Sequence, residues 1–460
     1  MYVSDFTTPA HKDDVVMSDE VVAHLEHADD LALMSMSAEG LQQKLDALAD
    51  WASRNQMEIN TSKTVVMIFY PPRTSRPTQP PSFQLYAQQL LIVDRYKYVG
   101  VLLCSSGSNT WDEMISTCSK SARRAANMCF FVESRTGQLP PWEGCMLYSA
   151  QLDSRLTHAV EVTGVGTNKQ LELLESVQLH YLRRLLGLQT RSQKCVLFSE
   201  TGVLPLRARR LELVLGYLIY LLRLPDSHYA KRALRQTMEN ADSRRSGWWH
   251  DLRQAEALRV RVRAISGESI TEEIRGSPKL EILRDRVEYL ARGPKLPAAL
   301  TFRPYLKIMN KAARQAITRM LLSDHRLAVE TGRWDGVDRA DRQCRLCDSA
   351  VEDPLHVLFE CSQSVDLLNL RRSFWDEIEV ACENATAPVR GVPDLREATN
   401  ARASRLRLQL TPASKCIFIL LADARTTSIL AVFTHRVLTL FDSLPPRRYP
   451  GGRLQRRNAV

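Results

Sequence analysis

The chain has 460 residues, a length that accommodates about three domains of average size. Hydrophobic residues make up 44% and charged residues 25%, as in ordinary globular proteins, and the 19 glycines and 21 prolines exclude collagen-like and proline-rich architectures. The first residues carry charges where a signal peptide has an apolar core, and no apolar run is long enough to span a bilayer. We therefore expect an intracellular protein, nuclear or cytoplasmic and not secreted, without a membrane partner.

The net charge of +10 is unevenly distributed. Residues 1–60 hold three Lys/Arg and twelve Asp/Glu and carry −9, whereas residues 61–460 hold 59 and 40 and carry +19. A basic body suits a polyanionic partner such as RNA or DNA, although a solvated basic surface would give the same count. The acidic head could supply carboxylates for a metal site.

The first hundred residues are predicted to mix strands with one helix. Residues 21–34 read as two short apolar strands around a tight turn that contains Asp29 and Asp30. Ser37 is a plausible N-cap for a helix whose apolar positions recur at three- and four-residue spacing, at Leu41, Leu45, Leu48 and Trp51. Residues 65–69 and two runs within 83–103 are rich in strand formers.

From Trp111 to about Leu322 the pattern is mostly helical. One apolar stripe runs from Leu171 to Leu185 and ends at Gly187, a predicted C-cap. A long apolar helix is predicted from Leu204 to Leu224, and the polar helix faces are rich in arginine, at Arg183, Arg184, Arg207, Arg209, Arg210 and Arg223. The predicted fold class is therefore α+β at the N-terminus, followed by a mostly α-helical region with a small zinc knuckle.

The acidic turn is the strongest chemical feature of the N-terminal region. Phosphoryl transfer between nucleotides uses two divalent ions about 4 Å apart, held by clustered carboxylates. A hairpin tip relaxes the alternation of side chains in a strand, so Asp29 and Asp30 could approach one metal site. Turn preferences alone favour a solvated turn over a metal site.

The sequence around the turn resembles that of the C-terminal half of the reverse-transcriptase palm of non-LTR retrotransposons. In that family an Asp-Asp hairpin precedes Ser-x-Glu-Gly-Leu-Gln, a helix with a tryptophan, Asn-x-x-Lys-Thr and a Tyr-Leu-Gly hairpin. This sequence has the corresponding segments in the same order, at 37–42, Trp51, 60–64 and 97–100. The segment between them and a downstream knuckle resembles the helical region of these proteins as well.

The resemblance implies a role for each matching residue. Asp29 would coordinate Mg²⁺, Asp30 would complete the carboxylate cluster, and Lys63 would approach the nucleotide phosphates. Tyr98 and Gly100 would form the primer grip. The alternatives without a catalytic role are that Lys63 is an exposed lysine before a strand, and that Tyr98 and Gly100 take part only in ordinary hairpin packing.

Two departures from the family pattern bear on activity. His27 stands where the family usually has an aromatic residue, and only 28 residues precede Asp29, so the strand with the other metal-binding aspartate is missing, as are the fingers. Asp5, Asp13, Asp14 and Asp19 do not match that strand's context. We expect an N-terminally truncated reverse transcriptase that is inactive alone and that uses Mg²⁺ only if the palm is completed.

A second cluster has the pattern C-x2-C-x8-H-x4-C, formed by Cys344, Cys347, His356 and Cys361. Three thiolates and one imidazole are a closed tetrahedral set for structural zinc. Unligated buried cysteines are the alternative. Several branches of the non-LTR family carry such a knuckle downstream of the palm, where it could bind RNA or DNA or act as a structural clip.

These patterns divide the chain into six predicted regions: a partial palm with a primer-grip-like hairpin at 1–108, a thumb and helical region at 109–243, a helical connector at 244–338, the zinc knuckle at 339–365, C-terminal helices at 366–443 and a disordered basic tail at 444–460. The leading hypothesis is a reverse-transcriptase-like protein, an RNA-directed DNA polymerase by family, that acts on RNA and DNA as template and primer. The alternative is a non-catalytic RNA- or DNA-binding protein that retains the thumb, helical region and knuckle. A nuclease is a third possibility, because Pro393-Asp394 matches part of a nuclease motif of some relatives, but no acidic-x-Lys strand follows.

Overall fold

The computed structural model describes residues 5–71, 74, 77–106, 109–242, 247–254, 262–291, 299–383, 412–447 and 449. The strands are short and lie in the first 104 residues: β1 (Val16–Met17), β2 (Glu20–Val21), β3 (His24–His27), β4 (Asp30–Leu33), β5 (Val65–Val66), β6 (Gln84–Leu85), β7 (Gln88–Gln89), β8 (Leu91–Ile92), β9 (Arg95–Tyr98) and β10 (Val101–Cys104). In the described part of the chain they form two-stranded sheets, four antiparallel and one, β5 with β8, parallel.

The rest of the described chain is mostly helical. Its α-helices are α1 (Ala38–Arg54), α2 (Asp112–Thr136), α3 (Pro141–Leu147), α4 (Ser154–Leu156), α5 (Val160–Thr163), α6 (Asn168–Leu186), α7 (Lys194–Thr201), α8 (Leu206–Arg223), α9 (Tyr229–Asp242), α10 (Trp248–Gln254), α11 (Val262–Gly276), α12 (Glu281–Ala291), α13 (Lys311–Leu321), α14 (Ala328–Trp334), α15 (Val365–Glu383), α16 (Ala413–Ala422) and α17 (Ala424–Ser443). Two π-helical turns, Tyr148–Asp153 and His356–Glu360, and two 3-10 turns, Pro304–Lys307 and Arg339–Asp341, connect them. None of the described helices is long and apolar enough to cross a membrane.

The chain divides into two compact units. The first comprises residues 1–121, 155–174 and 209–260, and the second comprises residues 122–154, 175–208 and 261–460.

In the first unit, α1 packs on the short strands. Leu45 joins Val66, Phe83, Leu85 and Leu90 in one buried cluster, while Leu48, Trp51 and Ala52 bury Phe6 in another. A third cluster is made of Val160, Val165, Leu171, Val214, Leu218, Leu221, Leu234 and Leu252, from α5 to α10. The apolar period predicted for α1 therefore faces the core, as the heptad-like spacing requires.

Arg210 corrects the prediction that it belongs to a polar helix face. Its side chain is fully buried and donates hydrogen bonds of 2.8–3.2 Å to the carbonyls of Leu156, Gly164 and Val165 and to the Thr163 hydroxyl. These acceptors lie where α4 and α5 end, so the guanidinium satisfies carbonyls that have no helical partner. Burial lowers the pKa of Arg210 to about 10.

The second unit contains a buried ionic network. The Glu200 carboxylate is fully buried, and Arg286 donates to both of its oxygens at 3.0 and 2.7 Å, while the Tyr305 hydroxyl donates at 2.8 Å. Burial alone would raise the pKa of Glu200, but Arg286 and Arg303 lower it to about 2. Removing one member would leave a buried charge without its partner, which is costly. The network therefore holds α7, α12 and the 3-10 turn together.

Candidate functional site

The predicted acidic hairpin is present. β3 and β4 pair antiparallel with His27 opposite Asp30, so Ala28 and Asp29 form a two-residue turn. Ala28 has a φ of +57°, the left-handed conformation that tight hairpin turns require. Both Asp29 and Asp30 are exposed at this tip. The carboxylates therefore lie at an accessible end of the first unit, as a metal-binding pair would need.

The motif that follows the hairpin has structural reasons for its residue types. The Ser37 hydroxyl caps α1 by accepting a hydrogen bond from the Gly40 amide at 3.2 Å, which confirms the predicted N-cap. A Cβ on Gly40 would lie 2.6 Å from Ser35 Oγ and 2.7 Å from His11 Nδ1, so a larger residue would force these side chains to shift. The Gln42 side chain accepts a hydrogen bond from the backbone amide of Gln84 at 3.0 Å and donates one to the backbone carbonyl of Gln84 at 2.9 Å. These two hydrogen bonds connect α1 to β6.

The second motif forms a turn around Asn60. The Asn60 side chain accepts hydrogen bonds from the Lys63 backbone amide at 3.2 Å and from the Ser62 hydroxyl at 2.6 Å. The backbone carbonyl of Asn60 accepts a hydrogen bond from the Thr64 hydroxyl. This turn leads directly into β5. The Lys63 side chain is exposed, and among the ion pairs of the described residues none joins it to Asp29 or Asp30. The contact predicted between Lys63 and phosphates thus stays a prediction.

The predicted primer-grip residues occupy a second hairpin. β9 and β10 pair with Tyr98 opposite Val101, and the turn residues Val99 and Gly100 have φ values of +44° and +84°. Two left-handed residues in a two-residue loop make a type I′ turn. Burial raises the pKa of Tyr98, and the negative charge of Asp30 raises it further. The two hairpins thus belong to the same compact unit.

The chemistry of the acidic tip suits Mg²⁺, which prefers carboxylate oxygens. The tip supplies only part of a site, however. Among the described residues, the sole group of three or more His, Cys, Asp or Glu side chains close enough to share an ion is the cysteine–histidine cluster. Asp29 and Asp30 would hold Mg²⁺ through their carboxylates, with water or substrate oxygens as the remaining ligands, and the ion would supply positive charge for phosphate groups.

Asp14, an acidic residue near the tip in sequence, is committed elsewhere. The fully buried Lys44 ammonium lies 2.6 Å from Asp14 Oδ1 and donates a hydrogen bond to the Met34 carbonyl at 2.5 Å. The Lys44 hydrogen bond lowers the pKa of Asp14, and a backbone hydrogen bond from His11 lowers it further. This ion pair anchors the N-terminal segment to α1, and sequence reasoning missed it because Lys44 lies inside a polar run of the helix.

The four predicted zinc ligands come together in the second unit. Their ligand atoms all lie within 4.8 Å of one another, with Cys344 Sγ 3.9 Å from Cys361 Sγ and Cys347 Sγ 3.3 Å from His356 Nε2. A tetrahedron with Zn–S bonds of about 2.3 Å puts two sulfurs about 3.8 Å apart, so the observed spacing fits zinc. Cys344, Cys361 and His356 are buried, which suits a closed structural site rather than one open to substrate.

The backbone around the cluster is shaped for this arrangement. Asp348, directly after Cys347, has a φ of +50°, and its amide donates to the Cys344 carbonyl at 3.0 Å, closing the turn between the first two cysteines. The π-helical turn His356–Glu360 carries the third ligand and ends at the fourth. His356 Nε2 faces the sulfurs, 3.3 Å from Cys347 Sγ, while Nδ1 lies on the side of Glu360, 3.7 Å from its carboxylate.

The thiols of the cluster differ in acidity. Burial raises the pKa of Cys344 to about 12. Burial also acts to raise the pKa of Cys347, but hydrogen bonds involving Ser349, Ala350 and His356 outweigh it and lower the value to about 6. Zinc would hold all three sulfurs as thiolates and cross-link the two ends of the knuckle.

Comparisons with known proteins give two weak relatives. The chain is 25% identical over 179 residues to an RNA-directed DNA polymerase from the mobile element jockey of Drosophila funebris, and 26% identical over 196 residues to that of Drosophila melanogaster. The matches cover 37% and 41% of this chain, and 19% and 20% of the relatives, so it spans about a fifth of the length of the curated relatives that it matches. No protein-family model matches the chain. These similarities support a distant relation to the reverse transcriptases of non-LTR retrotransposons.

Proposed function

We propose that the chain is a reverse-transcriptase-like protein that binds template and primer through its two N-terminal hairpins. Asp29 and Asp30 take the role of the metal-binding pair, and Tyr98 and Gly100 that of the primer grip. The observation that carries the proposal is the pair of two-residue hairpins in the first unit, one with Asp29 and Asp30 exposed at its tip and the other with Tyr98 and Gly100 at its turn. A primer end must lie beside the catalytic metals to react, so these two hairpins have to be neighbours in such an enzyme.

Incorporation of nucleotides is not expected from this chain alone. Two-metal catalysis needs carboxylates around both ions, and the described residues bring no third acidic side chain to Asp29 and Asp30. The proposed activity is therefore binding of a nucleic acid duplex, with Mg²⁺ contributing through the tip.

The test is binding of an RNA template with a DNA primer, in buffer with and without added Mg²⁺ and free of chelator, together with primer extension on the same duplex. We expect binding that weakens severalfold when Mg²⁺ is left out, and no extension. The double change Asp29→Asn and Asp30→Asn should abolish the Mg²⁺-dependent part, whereas Asp50→Asn, an exposed acidic residue of α1, should leave it unchanged. Template-dependent extension would contradict the expected inactivity, and absence of binding would contradict the whole proposal.

A second candidate is a non-catalytic RNA- or DNA-binding protein. One observation favours it: within the second unit, α2 has an exposed stripe in which two apolar side chains lie between two arginines, at Arg124, Met128, Phe131 and Arg135. Met128 is 62% exposed and Phe131 is 54% exposed. Cations with exposed aromatic rings suit a phosphate backbone and its bases. If this candidate is right, affinity is the same with and without Mg²⁺ and does not respond to changes at Asp29 and Asp30.

A further inference from the structure

The knuckle is acidic, which is unexpected for a finger that grips nucleic acid. Residues 339–365 contain three arginines against five Asp and Glu. The single aromatic residue of this segment, Phe359, packs inward with ring centroids 6.4 Å from Phe374 and 6.5 Å from Phe433. Binding to a phosphate backbone draws on cations that are free to contact phosphates, and stacking draws on exposed rings.

The three arginines are engaged inside the second unit. Arg339 donates to both oxygens of Glu281, at 2.9 and 2.6 Å, and to Asp353 at 3.0 Å. Arg342 donates to the carbonyls of Val329 and Val337. The third, Arg345, stands between the first two cysteines and is held by Glu352.

Glu352 connects the knuckle to α14. Its carboxylate is fully buried, accepts from the Arg345 guanidinium at 2.8 Å and from the Arg345 amide at 2.8 Å, and also accepts from the Ala328 amide at the start of α14 at 2.8 Å. The Glu352 carbonyl accepts from the Val329 amide at 3.1 Å. A carboxylate at a helix N-terminus is favourable, so one residue fixes the helix and the cysteine turn together.

The opposite side of the cysteine turn holds the end of the described chain. Arg447 donates to the Gln343 and Cys344 carbonyls at 3.1 and 3.3 Å and to the Asp348 carboxylate at 2.6 Å. Arg345 donates to the Leu444 carbonyl at 3.4 Å, and its guanidinium lies 5.7 Å from the Phe441 ring of α17. Residues 444–447 of the same chain thus contact the cysteine turn and one of its carboxylates, that of Asp348.

We propose that the cysteine–histidine cluster is an intramolecular clamp, whose ligand is this chain's own segment 444–447 and not RNA or DNA. Zinc fixes the Cys344–Asp348 turn, and that turn presents the carbonyls and the carboxylate that bind Arg447. Loss of the metal therefore releases α17 and the following segment from the knuckle. The clamp requires only contacts within the second unit and does not depend on the proposed function of the hairpins.

Hydrogen exchange of the full chain tests this directly. We expect removal of zinc by a chelator, or Cys347→Ser, to accelerate amide exchange at least tenfold in α14 and in residues 436–447, with no change in α1. Arg447→Ala should accelerate exchange in residues 440–447 while the protein retains one zinc per chain by elemental analysis. Arg436→Ala is the matched control, because Arg436 lies on α17 but pairs with Glu377 and not with the knuckle.

Binding of an RNA template with a DNA primer separates the clamp from a nucleic-acid finger. The clamp predicts that Arg447→Ala changes affinity by less than twofold. A fivefold loss of affinity in zinc-loaded Arg447→Ala would overturn the clamp. Amide exchange rates near the knuckle that do not change on zinc removal would also overturn it. If the wild-type chain binds no nucleic acid, the function proposed for the hairpins fails, while the exchange measurement still decides the clamp.

Discussion

The local sequence does not reveal whether a single charged side chain is buried or exposed. Lys44 lies in the polar run Gln42–Lys44 of α1, yet it is fully buried against Asp14, and Arg210 lies in an arginine-rich helix start, yet it is buried among carbonyls. Burial of such groups depends on partners that are distant in the chain, and helical periodicity contains no information about those partners. In contrast, Ser37, Gly40 and Asn60 could be predicted from their motifs because each acts on residues within four positions of itself.

The Asp14–Lys44 pair should be worth several kcal/mol when one partner is removed. Lys44→Met leaves a buried carboxylate without its cation, and we expect a loss of about 3–5 kcal/mol in the free energy of unfolding. Lys12→Met, at an exposed position, should change it by less than about 0.5 kcal/mol. Urea titrations at pH 7 measure both values, and equal effects of the two changes would rule out a stabilising role for the buried pair.

His325 should make stability depend on pH between 5 and 7. Burial, together with the positive charge of Arg333, lowers its pKa to about 3, so the folded protein keeps this imidazole neutral. The unfolded chain takes up a proton as the pH falls below about 6.5, so the stability present above that value is lost progressively on acidification, by roughly 1.4 kcal/mol per pH unit.

His325→Leu should reduce this slope, and the exposed His180→Leu should not. Unfolding free energies at pH 5, 6 and 7 give the comparison. A slope that is the same in His325→Leu and the wild type would show that other groups cause it. Glu200 does not interfere, because its own contribution is lost only below the unfolded pKa of a glutamate, as the pH falls toward about 2.

At the scale of elements, turns and helices with strong local signals matched their predictions, and strands did so less well. The helix predicted to end at Gly187 does end there, with a φ of +68° at that glycine. Only Val65 and Val66 of the strand predicted at 65–69 are in a strand, because pairing with β8 stops after two residues. Strand length depends on the partner strand, and the sequence of one strand does not specify it.

The β9–β10 turn carries strain at Val99. This β-branched residue has a φ of +44° and is 50% exposed, whereas type I′ turns favour Asn followed by Gly. Val99→Asn should therefore stabilise the protein by about 1 kcal/mol, and Gly100→Ala, which forces a Cβ into a φ of +84°, should destabilise it by about 1 kcal/mol. Thermal unfolding of the two variants should shift in opposite directions, and shifts of the same sign would contradict the turn geometry.

For the molecule as a whole, composition and motifs predicted the character of each region better than its internal contacts. The mixed head, the helical body and the cysteine–histidine cluster follow from periodicity and ligand spacing, and the four ligands lie together as the spacing required. The contacts of Arg345, Glu352 and Arg447 could not be predicted, because they join segments up to about a hundred residues apart. The nuclease candidate Pro393-Asp394 lies outside the described residues, as does most of the predicted tail.

The uneven charge of the chain predicts how nucleic-acid binding should respond to salt. A body of +19 that contacts several phosphates releases counterions on binding, so the logarithm of the association constant should fall linearly with the logarithm of salt concentration. Arg124→Ala and Arg135→Ala should each reduce that slope by about 0.7–0.9 if each guanidinium on α2 contacts one phosphate. Arg436→Ala, which lies on α17, should leave it unchanged. Fluorescence anisotropy between 50 and 300 mM KCl measures the slopes, and equal slopes for all four proteins would exclude this face of α2 as the nucleic-acid surface.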